Sequence, residues 1–300
     1  MKNFDSSLAP INLIDPNKRT LFDSVDRFDP ILNKFSDSTN QLWRTSESGQ
    51  KLGVLKLCYK GGVEGSNFWM GMQGVFGLNY PIQMARYSEV YDLLNSLSDV
   101  PIPKLLACES ASEKYAGFIY SAILPGQDVR GLITEELVQQ LAVHLVKLHQ
   151  HQQSKFGPLF EPLFSAEQWW PNIQRTIQVL AKLQGFEFEF KRLFDELSVP
   201  ECFVPIMPDL RWDQFLQDSA RLTGLVDLDA FVFGAVELEF VVLEYLLDEQ
   251  QAEQFKDLYQ ASNTLPDLTG CREVYRVLLF LMNILGEESF DTWMQAPTRF

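Results

Sequence analysis

The chain has 300 residues, of which 46% are hydrophobic and 22% charged, a composition typical of a globular protein with one large or two smaller cores. Its 40 acidic and 25 basic residues give a formal net charge of -15, which disfavours a nucleic-acid or anionic-membrane partner and mildly favours a cationic ligand. No apolar run reaches the roughly 20 residues that cross a bilayer, and the N-terminal residues lack the apolar segment of a signal peptide, so we expect a cytoplasmic protein.

The N-terminal part of the chain predicts a short helix and then a β-hairpin. Residues 17–28 carry apolar side chains at helical spacing, and we interpret residues 1–34 as a structural lead-in. Residues 41–45 and 52–58 predict two strands joined by a polar turn. The polar stretch 35–40 before them contains no glycine, the residue that normally permits close approach of a backbone to phosphate.

Lys56 and Glu89 are the charged residues of interest in this region. Lys56 lies between two leucines on the second predicted strand, so it must face the opposite side from both of them. The glycine-rich stretch 61–77 predicts a long irregular insert. Residues 81–97 then predict a helix, and Glu89 lies beside its apolar face, where it can reach inward. For either residue alone, simple solvent exposure is the commoner outcome.

The middle of the chain predicts two more strands and then a change to helices. The second of these strands, residues 115–126, ends in a Pro125-Gly126 break. Thr134 is a suitable cap for the helix over residues 134–149. Its predicted buried stripe consists of Leu137, Leu141, Leu145 and Leu148. The three histidines on or just after this helix do not converge on one face, so we predict no metal site from them.

Residues 204–233 carry the strongest functional signal. Two short apolar runs, 215–216 and 225–226, flank a polar turn and predict a β-hairpin. Asp209 precedes the first run and Asp227 follows the second, so an antiparallel hairpin brings both carboxylates to one edge. Paired carboxylates suit a division of labour, in which one orients a hydroxyl and the other holds a divalent metal. A polar hairpin with two solvated aspartates is the alternative.

The order of these features resembles the aminoglycoside phosphotransferase and choline kinase-like family, whose motif is H-G-D-x-x-x-x-N, then a hairpin, then I-D-[WF]. The features that carry the resemblance are Lys56, Glu89, Pro125-Gly126, Leu148-His149, Asp209, Gln214 and Asp227. The chain departs from the motif at Met207 and Pro208, where His and Gly are usual, and at Gln214, where Asn is usual. Glu239, on the apolar helix after the hairpin, stands in the place of a buried aspartate of the family.

The resemblance implies an α+β, two-lobed protein kinase-like fold. Residues 1–125 would form a small β-rich N-lobe, and residues 126–300 a larger helical C-lobe that contains the hairpin 204–233. The implied function is ATP-dependent transfer of a phosphoryl group to a hydroxyl of a small molecule, with ATP and Mg²⁺ as cofactors. Together with the acidic charge, this favours a cationic acceptor, such as an aminoglycoside-like compound or an amino-alcohol.

The resemblance also assigns roles to single residues. Asp209 would be the catalytic residue that accepts or orients the hydroxyl proton. Asp227 and Gln214 would bind metal, with Asp213 and Asp229 as nearby alternatives. Lys56, held by Glu89, would neutralise the nucleotide's α- and β-phosphates, as the strand lysine of kinases does. The adenine ring would bind to backbone near Ser121 and Ile123.

Two further hypotheses stay open from the sequence. The departures at Met207, Pro208 and Gln214 and the glycine-free phosphate loop would also fit a nucleotide-binding pseudokinase with a regulatory role. An unrelated acidic interaction protein is the third possibility. The identity of the acceptor, the choice between ATP and GTP, and the oligomeric state have no signature in the sequence.

Overall fold

A computed structural model describes residues 9–32, 38–186 and 190–300. Its strands are β1 (Arg27–Ile31), β2 (Gln41–Glu47), β3 (Gln50–Cys58), β4 (Leu105–Glu109), β5 (Gly117–Ala122), β6 (Gln127–Asp128), β7 (Lys155–Pro158), β8 (Phe164–Ser165), β9 (Val204–Ile206), β10 (Phe215–Asp218), β11 (Arg221–Leu225) and β12 (Val232–Gly234). Its α-helices are α1 (Asn67–Phe76), α2 (Tyr87–Leu97), α3 (Glu135–His149), α4 (Trp169–Gln184), α5 (Val236–Leu246), α6 (Glu249–Gln260), α7 (Arg272–Leu281) and α8 (Phe290–Met294). Within those described ranges, no helix is long and apolar enough to cross a bilayer.

The chain divides into two compact units. The first contains the described residues up to Ser66 together with Asn79–Leu93 and Pro103–Leu124. The second contains Asn67–Leu78, Leu94–Ile102 and Pro125–Phe300. The last boundary between the units falls between Leu124 and Pro125, one residue before the boundary that the sequence predicts. Residues 67–78 and 94–102, which the prediction assigns to the N-lobe, belong to the second unit.

The first unit is built on a five-stranded antiparallel sheet in the order β1-β2-β3-β5-β4. Its core is formed by seven buried residues: Ile14, Phe22, Leu55, Leu57, Ala116, Phe118 and Tyr120. The predicted helix over residues 17–28 is wrong, because only Pro16–Phe22 is helical, as a 3-10 turn, and Phe28 belongs to β1. Leu21 is exposed, while Phe22 packs its ring against Phe118 and Tyr120. The residue buried against the sheet is therefore Phe22, and not Leu21 as the predicted helix would require.

The glycine-rich stretch 61–77 is not the irregular insert that the sequence predicts. Most of it is the ten-residue helix α1, which packs against α4. A Cβ at Gly74 would lie 2.4 Å from Oγ1 of Thr176, and one at Gly71 would lie 2.4 Å from Cγ of Met282. The glycines therefore permit close helix packing, and their partners lie more than a hundred residues away in the sequence.

The second unit contains the helices that the sequence predicts with most success. All four leucines of the predicted α3 stripe are buried, and Thr134 caps the helix by accepting a hydrogen bond from the backbone N–H of Leu137. Two small antiparallel sheets accompany the helices, β8-β7-β12-β9 and β11-β10-β6. Beside the first of these sheets, the rings of Phe156, Trp169, Phe203 and Tyr275 form an aromatic cluster.

The predicted hairpin is present as β10 and β11, with Phe215 opposite Leu225. Its turn is shorter than predicted, because the strands continue as far as Asp218 and Arg221. Ser219 and Ala220 at the tip have φ of 51° and 62°. Positive φ at both central residues is the signature of a type I′ turn, whose twist matches that of the flanking strands.

Ala220→Gly is expected to stabilise the protein, because alanine pays a steric cost in the left-handed region that glycine does not. We expect a gain of about 0.5 to 1 kcal/mol after allowing for the greater flexibility of glycine in the unfolded chain. Urea unfolding of the two proteins measures this difference.

Gly185→Ala is the matched control for that exchange. Gly185 ends α4 at φ +71°, and a Cβ there would meet open space, so only the backbone cost changes. It should destabilise the protein by roughly 1 kcal/mol. If both variants shift stability in the same direction, turn geometry does not control the effect.

Candidate active site

The segment that precedes β10 forms a tight loop that carries Asp209. β9 ends at Ile206, and after Met207 and Pro208 the chain turns through the 3-10 helix Trp212–Gln214. The backbone N–H of Leu210 donates to the carbonyl of Met207 at 3.0 Å. Asp209 is therefore held in a short, hydrogen-bonded turn between two strands, at the same end of the hairpin as Asp227.

Asp227 follows β11 in the left-handed conformation, with φ 64° and ψ 53°. Aspartate tolerates this region better than most residues, but it still stores strain, a feature that concentrates at functional sites. The backbone N–H of Val226 donates to the carbonyl of Gln214 at 2.8 Å, which ties the two arms together just before Asp227. The carboxylate of Asp227 is near enough to Asp209 to raise its pKa.

Asp209 is a mostly buried carboxylate with only 13% of its side chain exposed. Burial raises the pKa of Asp209 to about 7, the Arg211 guanidinium opposes this, and the Asp227 and Asp229 carboxylates add to it. One oxygen, Oδ2, accepts from Nε2 of Gln214 at 3.2 Å. The other, Oδ1, is buried without a hydrogen-bond partner among the described residues. An unsatisfied acceptor oxygen of this kind can accept a hydrogen bond from the hydroxyl of a ligand and then take its proton.

Arg211 balances part of this negative charge. Its Nε lies 3.2 Å from Oδ1 of Asp213, and its Nη1 lies 4.0 Å from Oδ2 of Asp209. Asp229, an alternative metal ligand in the sequence interpretation, is only 4% exposed and is therefore not a surface charge. Trp212 is buried and packs its ring against Phe215, which indicates a structural role.

Gln214 has a geometry that the sequence does not reveal. Its side chain is 2% exposed, and its carbonyl oxygen Oε1 accepts from the backbone N–H of Arg211 at 2.8 Å. The oxygen that we predict to bind metal is thus hydrogen-bonded inside the loop. The added methylene of glutamine, relative to asparagine, lets the amide fold back in this way.

A metal site made only of protein ligands is absent from the described residues, since no cluster of three or more His, Cys, Asp or Glu side chains could hold an ion there. Mg²⁺ at phosphoryl-transfer sites usually takes one or two carboxylates and completes its shell with phosphate oxygens and water. Asp227, a carboxylate on a strained backbone beside Asp209, fits that requirement.

In the first unit, Lys56 lies on β3 with both leucine neighbours buried, as the predicted alternation requires. Lys56 is opposite Ile119 of β5 in the sheet. Glu89 lies in the first turn of α2, where Arg86 donates to both of its oxygens. This hydrogen bond lowers the pKa of Glu89. The structure therefore gives Glu89 a local partner, and its pairing with Lys56 stays a prediction.

The predicted adenine-binding backbone lies at the end of β5. Ser121 is opposite Val54 and Leu105, and Ile123 follows the last residue of the strand. Of the predicted phosphate-binding stretch 35–40, residues 35–37 lie outside the described residues. The nucleotide-binding roles of Lys56, Glu89, Ser121 and Ile123 remain predictions.

Comparison with known proteins identifies the family. Residues 75–274 match the model of the APH phosphotransferase enzyme family, and they include α3, the Asp209 loop, the hairpin and Asp227. The chain belongs to this phosphotransferase family. A search of curated proteins found no significant match.

Solved structures of aminoglycoside and macrolide phosphotransferases share the fold at low sequence identity. A thermostable mutant of the aminoglycoside phosphotransferase APH(4)-Ia, in complex with ADP and hygromycin B, has 15% identity and a TM-score of 0.58, covering 91% of this chain and 92% of that one. The macrolide 2'-phosphotransferase MphH from Brachybacterium faecium has 14% identity and a TM-score of 0.52, covering 91% and 93%. The GDP and kanamycin complex of APH(2")-IIia has 15% identity and a TM-score of 0.52, covering 87% and 85%.

These findings confirm the predicted family resemblance and the α+β, protein kinase-like fold, with a β-rich N-terminal region and a helical C-terminal region. They also confirm the predicted enzyme class, a small-molecule kinase that phosphorylates a hydroxyl. The pseudokinase alternative receives no support from them. Similar structures contain AMP-PNP, ADP or GDP, in line with the predicted nucleotide cofactor.

The sequence predicts only part of the hydrogen bonding that holds the Asp209 loop in place. Glu239 is fully buried, as predicted, and its Oε1 accepts from the backbone N–H of Met207 at 2.7 Å. Its Oε2 lies 2.7 Å from Nε2 of His149, whose Nδ1 lies 2.8 Å from the Tyr259 hydroxyl. Because Met207 contributes its backbone and not its side chain, the missing motif histidine does not break this anchor.

Proposed function

We propose that the chain transfers the terminal phosphoryl group of ATP to a hydroxyl of a small cationic molecule, such as an aminoglycoside or an amino-alcohol. The observation that supports this most directly is the pair Asp209 and Asp227 at one end of the hairpin, with the buried Oδ1 of Asp209 lacking a partner among the described residues. Family membership supplies the reaction class.

Asp209 would orient the acceptor hydroxyl and take its proton. A base works best when its pKa lies near the working pH, and burial has raised the pKa of Asp209 to about 7. Glu239 and Gln214 hold the two ends of the loop on which Asp209 lies. In phosphoryl transfer, positioning of this kind and electrostatic stabilisation provide nearly all the rate enhancement.

Asp227 would hold Mg²⁺, which neutralises charge on the phosphates when it is bound. Lys56, with Glu89 as its predicted partner, would neutralise the α- and β-phosphates of the nucleotide. The adenine ring would be recognised by backbone near Ser121 and Ile123. These assignments follow from the match of this chain to the family motif.

The cationic acceptor is supported by charge. The net charge of -15 attracts cations. Similar phosphotransferase structures are complexes with hygromycin B or kanamycin, which are cationic aminoglycosides.

Acceptor-dependent formation of ADP tests the proposal. Purified protein with ATP and Mg²⁺ is presented with panels of aminoglycosides, amino-alcohols, macrolides and neutral sugars, and GTP replaces ATP in parallel. We expect at least one cationic acceptor to stimulate ADP release. Lys56→Ala should weaken nucleotide affinity by roughly tenfold or more, because a buried phosphate contact is lost.

Thermal unfolding separates the failures. Nucleotide at about 100 times its Kd should stabilise the protein by about 2.7 kcal/mol. A rise in Tm with ATP and Mg²⁺ but no turnover with any acceptor would favour the pseudokinase. An unchanged Tm together with no turnover would contradict nucleotide binding altogether.

A further inference from the structure

The side-chain amide of Gln214 is folded back onto the loop that carries Asp209. Its Nε2 donates to the backbone carbonyl of Asp209 and to Oδ2 of the same residue, both at 3.2 Å. Its Oε1 accepts from the backbone N–H of Arg211 at 2.8 Å. One side chain therefore contacts the backbone of the loop at two points and the carboxylate of Asp209 at a third.

These contacts hold the amide of Gln214 in place. Nε2 donates to the carbonyl and the carboxylate of Asp209, and Oε1 accepts from the N–H of Arg211. A carbonyl oxygen has a second lone pair, but Gln214 is only 2% exposed, so an ion could reach Oε1 only if the side chain left this position. That movement would leave the partly buried N–H of Arg211 unpaired, which is costly.

The backbone of Gln214 connects the loop to the second carboxylate. Its N–H donates to the carbonyl of Arg211 at 3.2 Å, and its carbonyl accepts from the N–H of Val226 at 2.8 Å. Asp227 is the next residue along. Gln214 thus lies at the junction of the segments that carry Asp209 and Asp227, and its orientation controls the first of them directly.

We propose that Gln214 is a positioning residue for Asp209 and not a metal ligand, so that the chain binds one divalent cation with its nucleotide, through Asp227. This inference rests on the proposed phosphotransferase function. It departs from the role that the family motif assigns to the residue at this position.

The number of bound ions tests the proposal without any variant. Mn²⁺ replaces Mg²⁺, and its binding to the wild-type protein with saturating AMP-PNP is counted by electron paramagnetic resonance. One Mn²⁺ per chain is expected, and two would overturn the inference while leaving the phosphotransferase function intact. Binding of neither AMP-PNP nor Mn²⁺ would overturn both.

A second measurement separates positioning from coordination. Gln214→Leu should lower kcat by about 100-fold, because a small displacement of a catalytic group has an effect of that size. The KM for nucleotide and the Mn²⁺ affinity should stay within about threefold of the wild type, whereas loss of a metal ligand should weaken Mn²⁺ binding by at least about tenfold. Asp227→Asn provides the reference for that loss.

Gln217→Leu is the matched control, since Gln217 lies on β10 and its Oε1 accepts from the local backbone N–H of Ala220. It should leave kcat and Mn²⁺ binding unchanged. If Gln214→Leu weakens Mn²⁺ as much as Asp227→Asn does, Gln214 is a ligand and the proposal is wrong. A wild-type kcat in a folded Gln214→Leu protein would also contradict it.

Discussion

Asp209→Asn is expected to make the protein more stable. The wild-type side chain is only 13% exposed and lies near Asp227, and one of its carboxylate oxygens has no hydrogen-bond partner among the described residues. Asparagine keeps the shape and can still accept from Nε2 of Gln214, but it carries no charge. Removing a desolvated charge whose pKa is about 7 when folded and about 3.9 when unfolded should add about 4 kcal/mol at pH 8.

The pH dependence of this gain has a defined sign. Because the folded pKa of Asp209 is raised, the wild-type protein loses stability as pH rises from about 4 through about 7, when the carboxyl loses its proton. The advantage of Asp209→Asn should therefore be small near pH 4 and reach its full size above pH 7. Urea unfolding at a series of pH values measures it.

Asp218→Asn is the matched control, because Asp218 is exposed at the hairpin tip. It should change stability by less than about 0.5 kcal/mol at every pH. Equal stability of Asp209→Asn and wild type at pH 8 would contradict the claim that the buried charge of Asp209 destabilises the folded protein.

Glu244→Gln is expected to produce the largest loss of stability. Glu244 lies on α5 with no side-chain exposure, and it pairs with Arg272 and with Arg276, whose Nη2 is 2.7 Å from Oε2. It also accepts from the backbone N–H groups of Arg299 and Phe300 at 3.0 and 3.4 Å. Neutralising Glu244 leaves the buried Arg276 without its anion, which should cost about 3 to 5 kcal/mol.

The surface pair of Asp99 and Lys147 supplies the control for this prediction. Both of its side chains are 48% exposed, so Asp99→Asn should cost less than about 1 kcal/mol. Guanidinium unfolding measures both variants. Replacing Glu244 and Arg276 together by Gln and Met should recover much of the loss, because no charge is then left buried alone. A similar small cost for Glu244→Gln and Asp99→Asn would contradict the burial of this network.

The hairpin and helix α3 could be predicted because their signals are local. Turn residues between apolar runs place Asp209 and Asp227, and the leucine stripe of α3 follows a 3.6-residue period. Helix α1 could not be predicted in this way, because Gly71 and Gly74 look like loop residues until Met282 and Thr176 are seen against them. Contacts between distant segments leave no short-range pattern.

The residue types of the candidate site could be read from the sequence, but its geometry could not. Residue types at motif spacing indicated Asp209, Gln214 and Asp227, and their roles remain predictions. The direction of the Gln214 amide depends on the fold of the loop, and so does the anchoring of Met207 by Glu239. Glu89 pairs in the structure with Arg86, three residues earlier, at the end of the 3-10 turn that precedes α2.

Transfer of the terminal phosphoryl group of ATP to an acceptor hydroxyl, followed by mass spectrometry of the acceptor, tests the central claim most directly. Wild type and Asp218→Asn should form the phosphorylated acceptor at equal rates in the presence of Mg²⁺. Asp209→Asn, although folded and more stable, should form it at least about a thousandfold more slowly, because it lacks the carboxylate that orients the hydroxyl of the acceptor and takes its proton. Equal rates for all three proteins would contradict the assignment of Asp209 as the catalytic residue.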